Sequence, residues 1–246
     1  MISLIVCHRN PVLLEALKKS VELTIGVPHE FVLIDNLDNQ YNINQAYNKG
    51  VKESKHDYLV FVHEDVEFLS KNWGSALMDI LKNPKIGAVG MAGSNYLNER
   101  GIWAEVGMPF IQGRLVHQDG EKLFVSTYSE EKNDALVVAL DGCFLACRKE
   151  IAQEIPFDEI TFDGFHFYDV DWSLRVAQRY HVFVTQSFMI LHKSYGKKDQ
   201  DPNYERLRNK FLEKHKSILP FTNQSLKLDY KNIRFYKEYE LKKKDN

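Results

Sequence analysis

The first 91 residues alternate between short apolar runs and helix-like segments. This alternation limits the fold more than any other feature of the chain. Ile2–Val6, Phe31–Ile34, Tyr58–Val62 and Ile86–Met91 have the apolar composition of buried strands. Between them, Leu13, Leu14, Leu17 and Val21 recur at helical spacing after Asn10-Pro11, and Ile43, Ala46, Tyr47 and Val51 do the same. Trp73–Leu81 forms a third helix closed by Asn83-Pro84. Strands alternating with helices predict an α/β fold: a mostly parallel sheet covered on both faces. Further along, Val137–Leu140 and Val182–Thr185 read as strands. Arg148–Glu154, Asp169–Gln178 and Tyr204–Ile218 read as helices. Residues 94–133 show no clear period and are expected to form an irregular insertion.

A chain of 246 residues buries a sizeable core without disulfides. Cys7, Cys143 and Cys147 lie in apolar stretches and read as reduced core residues. The net charge of -2 argues against binding nucleic acid through bulk positive charge. Charge is nonetheless uneven: residues 193–246 carry 15 basic and 8 acidic residues, the remainder 17 and 26. The basic part reads as a solvated helix face or as a patch for phosphates or anionic lipid. Within it, Lys227, Lys231, Arg234, Lys237 and Lys242–Lys244 alternate with Tyr230, Phe235, Tyr236 and Tyr239, a mix found in interfacial segments. The longest uncharged runs, Ile86–Asn98 and Tyr180–His192, are 13 residues each, against roughly 20 for a membrane helix. The expectation is a cytoplasmic protein, at most peripheral to the inner face of a membrane. It would comprise one domain over 1–195 and a basic, aromatic, helical C-terminal extension over 196–246.

Open sheets of this type bind ligands at the carboxyl ends of their strands. That rule selects Cys7-His8-Arg9, Asp35-Asn36 and His63-Glu64-Asp65. The chain has no GxGxxG, no GxxxxGK[ST] and no GxSxG, which counts against dinucleotide, P-loop and α/β-hydrolase sites. Glu64, Asp65 and Glu67 crowd three acids into four residues. Such a run is understandable beside a divalent cation that also grips a diphosphate. A second acidic run holds Asp158, Glu159, Asp163, Asp169 and Asp171. Asp169 and Asp171 read either as helix N-terminal acids or as a general base walled by aromatics. His192 and His63 read as structural residues or as metal ligands. Trp103, Phe110, Phe165, Phe167, Tyr168 and Trp172 are candidates to line a sugar pocket or simply to fill the core.

Taken in order, these motifs resemble family 2 glycosyltransferases of the GT-A (Rossmann-like) fold. The resemblance rests on SLIVCHRN, VLIDN, AYNKG, VHEDV, DGCFLACRKE, FYDVDWSLR and LHKS, and covers about residues 2 to 195. It implies an inverting transferase that moves a sugar from a nucleoside diphosphate sugar, UDP by default, to a hydroxyl of a glycan or lipid-linked acceptor. The cofactor implied is Mn2+ or Mg2+. Asp35 would match the acid that recognises the nucleotide base and Asn48 the Asn of Asn-x-Gly, with Cys7, His8, Arg9 and Asn36 on the same edge. Asp65 would match the metal-binding acid of DxD, with Glu64 its neighbour. Asp169 would match the base and His192 the late metal ligand. Residues 94–133 would help form the acceptor side. Two positions depart from the pattern. His63 replaces the first acid of DxD, which suits Mn2+ better than Mg2+. Tyr168 stands where the family often has Glu. Other readings are a nucleotide-sugar binding protein without turnover, a metal-dependent nucleotidyltransferase or phosphohydrolase, and a structural interaction domain. CHRNP lacks the Gly-rich basic loop usual in a nucleotidyltransferase.

Overall fold

All four strands and three helices predicted in the first 91 residues are present in the computed structural model. It describes residues 1–129, 133–194, 201–222 and, for the backbone alone, 237–241. β1 (Ile2–His8) runs into α1 (Pro11–Thr24) through Asn10, whose side chain accepts from the N–H groups of Val12 and Leu13. After β2 (His29–Asp35), α2 (Ile43–Glu53) opens on a capping box between Asn42 and Gln45. Then come β3 (Tyr58–Val62), β4 (Val66–Phe68), α3 (Trp73–Leu81), β5 (Ile86–Gly90) and β6 (Ala92–Ser94). The second half holds β7 (Ile111–Asp119), β8 (Lys122–Thr127), β9 (Ala135–Val137), β10 (Ala139–Leu140), β11 (Phe144–Arg148) and α4 (Lys149–Glu154). It continues with α5 (Tyr168–Ala177), β12 (His181–Val184), β13 (Ile190–His192), α6 (Asn203–His215) and β14 (Lys237–Leu241).

The main sheet has the order β2-β1-β3-β11-β5-β12-β9. Its β1·β2, β1·β3 and β5·β12 ladders are parallel, and its β3·β11, β11·β5 and β12·β9 ladders are antiparallel. The sheet is therefore mixed, not mostly parallel as the sequence predicts. The difference lies largely in β11. Its apolar run, with no β-branched residue, is buried on both faces, and such a run has no period that separates strand from helix. A second sheet, β10-β6-β7-β13-β4, carries β8 on β7 and β14 on β8. Residues 94–133, expected to be irregular, thus supply a long β7–β8 hairpin.

The predicted helix at Tyr204–Ile218 corresponds to α6, and Leu207 and Phe211 bury it in the core. Residues 196–246 are not purely helical, because Lys237–Leu241 forms a strand against β8. The alternating basic and aromatic residues at 227–236 and 242–246 lie outside the described residues. The two charge imbalances in the sequence meet at α6. Lys214 pairs with Asp158 at 2.7 Å and with Asp171 at 2.6 Å, Arg206 with Asp163 at 2.8 Å, and Asp201 with His166 at 2.8 Å. The acidic loop before α5 and the basic helix α6 are two faces of one contact.

Aromatic packing fixes α5 on the sheet. Trp172 stacks on Phe157 with centroids 5.0 Å apart, and its indole N–H donates to Ile155 O. Phe61 meets Phe157 edge-on at 5.0 Å. The three cysteines are unpaired. Burial pushes the thiol of Cys7 up to about 11 and that of Cys147 up to about 12, so both stay protonated and unreactive near neutral pH. No helix among the described residues is long and apolar enough to cross a membrane.

Candidate active site

Strand register gathers the candidate residues at one edge. Cys7 lies beside Ile34 and His8 beside Asp35, while the N–H of His63, just past β3, donates to Cys143 O at 3.1 Å. Several of these side chains brace the edge. Glu64 accepts from the backbone N–H groups of Arg9 (2.9 Å) and Asn10 (2.8 Å), tying the loop after β3 to the start of α1. Asn36 is buried and bonds both the N–H and the carbonyl of Tyr41, so it shapes its own loop. Asn48 holds the N–H and carbonyl of Phe157 and reaches Glu159. Asp35 is exposed and accepts from the N–H of Leu37. The Arg9 guanidinium lies 4.8 Å over the Phe165 ring and donates to Asn39.

His63, Asp65 and His192 converge. β13 delivers His192 by pairing it with Val66 of β4 and His117 of β7. Asp65 Oδ1 lies 3.4 Å from His192 Nε2 and 4.0 Å from His63 Nδ1. Asp65 Oδ1 and His192 Nε2 are buried and make no hydrogen bond among the described residues. Burial opposes charge on both. Their mutual contact outweighs it, with His63 adding to the effect on Asp65 and Asp141 to that on His192, and holds the Asp65 carboxyl low and the His192 imidazole high. Burial and the neighbouring His192 lower His63. Orphaned buried atoms on one imidazole and one carboxylate, with the His63 imidazole beside them, fit a divalent cation.

The cluster opens on a pocket of about 240 Å3. His63, Asp141, Gly142, Tyr168, Asp169 and His192 line one part of it, and Ile102, Trp103, Phe165, Phe167 and Tyr204 another. Of the six aromatic candidates, Trp103, Phe165, Phe167 and Tyr168 reach this pocket. Phe110 and Trp172 are core residues. Asp141, Gly142 and Tyr204 carried no site assignment in the sequence. Burial and then the charge of Asp141 push the Asp169 carboxyl up to about 7, against hydrogen bonds from its own N–H and those of Val170 and Gly142. Tyr47, Cys143, Tyr168 and Tyr204 also face it, and all are neutral at that pH.

Two backbone features aim Asp169. A Cβ on Gly142 would overlap the Tyr168 hydroxyl and crowd Asp169, so only glycine lets α5 approach β11 this closely. Phe167, just before α5, has φ 63°, a left-handed conformation that costs a bulky residue on the order of 1–3 kcal/mol. Packing against Tyr204 (5.2 Å) and Phe211 (5.5 Å) of α6 holds it there.

The sequence model of the family described as "Glycosyltransferase like family" matches residues 3–215. The chain belongs to this family. A relative, the ATP synthase subunits region ORF 6 of Fuscovulum blasticum, is 26% identical over 196 residues, 78% of this chain and 73% of that protein. Among solved structures, GalNAc-T7 with UDP, GalNAc and Mn2+ matches 85% of this chain at 15% identity with a TM-score of 0.59. The chain spans about half of that protein, 47% of its length. That likeness is one of fold, and the fold is GT-A.

Proposed function

We propose that this family member is an inverting glycosyltransferase. It transfers a sugar from a nucleoside diphosphate sugar to an acceptor hydroxyl, with Asp169 as general base. The carrying observation is Asp169 itself: a half-buried carboxyl, raised to about 7, in the pocket that His63 and His192 also line. A base poised near the working pH is strong enough to accept a hydroxyl proton and still largely available. Asp169 takes the proton of the acceptor hydroxyl as that oxygen attacks the anomeric carbon. The bond from that carbon to the diphosphate oxygen breaks, its electrons leave with the diphosphate, and the configuration inverts.

His63, Asp65 and His192 would hold the metal, and the two imidazoles favour Mn2+ over Mg2+. When bound, the metal supplies charge neutralisation for the departing diphosphate. Cys7, His8, Arg9 and Asp35, on neighbouring strand ends, receive the nucleotide and its phosphates. UDP is favoured because the similar GalNAc-T7 structure contains UDP and Mn2+. Ile102 and Trp103 give the acceptor side aromatic and apolar walls for a glycan or lipid-linked saccharide.

Transfer to water tests the stereochemistry without knowledge of the acceptor. With Mn2+ and a panel of α-linked UDP-hexoses, proton NMR should show the β-anomer of the free sugar appearing first. First appearance of the α-anomer would contradict inversion.

A further inference from the structure

We infer that Tyr168 is a positioning residue for metal binding: its hydroxyl fixes His63 in the tautomer that leaves Nδ1 open to a cation shared with Asp65 and His192. This rests on the metal reading of the cluster given above.

A tyrosine hydroxyl has one hydrogen to donate. Tyr168 Oη lies 3.0 Å from Gly142 O and 2.6 Å from His63 Nε2. A carbonyl only accepts, so the Tyr168 hydrogen goes to Gly142, and His63 Nε2 must be the donor to the Tyr168 oxygen. A neutral imidazole carries one N–H, so Nδ1 keeps its lone pair. That lone pair faces Asp65 Oδ1 at 4.0 Å, and the same oxygen faces His192 Nε2 at 3.4 Å. A lone pair opposite a carboxylate is repulsive unless a cation lies between them. Outer partners that fix a ligating histidine in this way commonly change metal affinity 10- to 100-fold.

Tyr168 is suited to the task because it cannot swing away. It is 3% exposed and packs against Tyr47 at 5.8 Å and Phe157 at 6.4 Å. Gly142 gives its carbonyl to Tyr168 and its N–H to Asp169, so the metal edge and the base share one residue. His63 and Tyr168 are also the two positions that depart from the family pattern, and they touch each other.

Two readouts test the pairing. In metal-free protein with 15N-labelled histidine, long-range proton–nitrogen NMR reports each tautomer, and His63→Gln identifies the His63 signals. The wild type should show His63 protonated at Nε2, and Tyr168→Phe should shift it toward a mixture. In a titration with Mn2+ alone, followed by the electron spin resonance of free Mn2+, Tyr168→Phe should bind about 10- to 100-fold more weakly. On the His63→Gln background the same change should cost no further affinity. A wild-type His63 protonated at Nδ1 would overturn the inference. So would unchanged affinity in Tyr168→Phe, or losses that add on the double variant. The wild-type spectrum needs no variant to fold. If the wild type shows the Nε2 tautomer but takes up no Mn2+, the metal reading of the cluster fails and the Tyr168–His63 pairing stands.

Discussion

Asp169→Asn should lower sugar transfer by about 100- to 10,000-fold, and it should stabilise the metal-free protein above pH 7. Both effects have the same cause. The wild-type carboxyl is pushed up to about 7 in the fold from its ordinary value of 3.8. A carboxyl raised in the fold contributes stability that is fully present below pH 3.8 and is lost as pH rises through about 7. Above that pH the protein holds a half-buried negative charge beside Asp141, a cost on the order of 2–4 kcal/mol. Asparagine removes that cost and removes the base. The variant's advantage in denaturant midpoint should therefore grow from pH 5 to pH 8. Wild-type turnover should rise over the same interval, with its midpoint near 7. Transfer at the wild-type rate by Asp169→Asn would exclude it as the base. A variant less stable than wild type at pH 8 would show that Asp169 is not charged at a cost.

Asp171→Asn should be the more damaging change to the fold, by about 3–5 kcal/mol at neutral pH. Asp171 is fully buried and accepts from His215 at 2.8 Å, from Lys214 at 2.6 Å and from Arg175 at 2.8 Å. Asparagine fits the space but removes the charge that Arg175 and Lys214 pair with, leaving Lys214 only Asp158. Burial works against the Asp171 charge, but His215, Arg175 and Lys214 outweigh it and lower the carboxyl below its usual range. The stability it contributes is present above the unfolded value near 3.8 and is lost as pH falls through the lower folded value. The deficit of Asp171→Asn should accordingly be full at pH 7 and shrink in strong acid. Because α6 carries Tyr204 and clamps Phe167, an unseated α6 should also loosen the pocket. Urea denaturation at several pH values measures the deficit. A loss below 1 kcal/mol at pH 7 would mean the contact is not what docks α6.

The alternation of strands and helices was legible because strand cores and helix starts carry local signals: β-branched runs in β1, β3 and β12, and Asn10-Pro11 and Asn42–Gln45 at the helix starts. β11 was not, since four successive buried residues, Phe144–Cys147, have no period. Its position between β3 and β5 is decided by packing that involves distant parts of the chain. At the site, His63, Asp65, His192 and Asp169 could be picked out as strand-end or helix-start residues of the right chemical type; His63, His192 and Asp169 line one pocket, and Asp65 groups with the two imidazoles. Glu64, Asn36 and Asn48 look the same in sequence whether they face a ligand or a backbone, and here they bind backbone. Gly142 entered only as part of DGCFLACRKE and Tyr204 only as a helix residue, because the role of each depends on a neighbour more than 20 residues away. The basic run suggested an external partner in phosphates or anionic lipid, yet part of it satisfies the acidic run at 158–171 within the chain.

Calorimetric titration with UDP is the most direct measurement of the account, run with Mn2+, with Mg2+ and with EDTA, on the wild type and on Asp169→Asn. Binding should require a divalent cation, be tighter with Mn2+ than with Mg2+, and be kept in Asp169→Asn while transfer is lost. GDP, CDP and dTDP in the same cell would show whether another base is preferred. Binding of none of these diphosphates, with either cation, would contradict a donor site at this edge of the sheet.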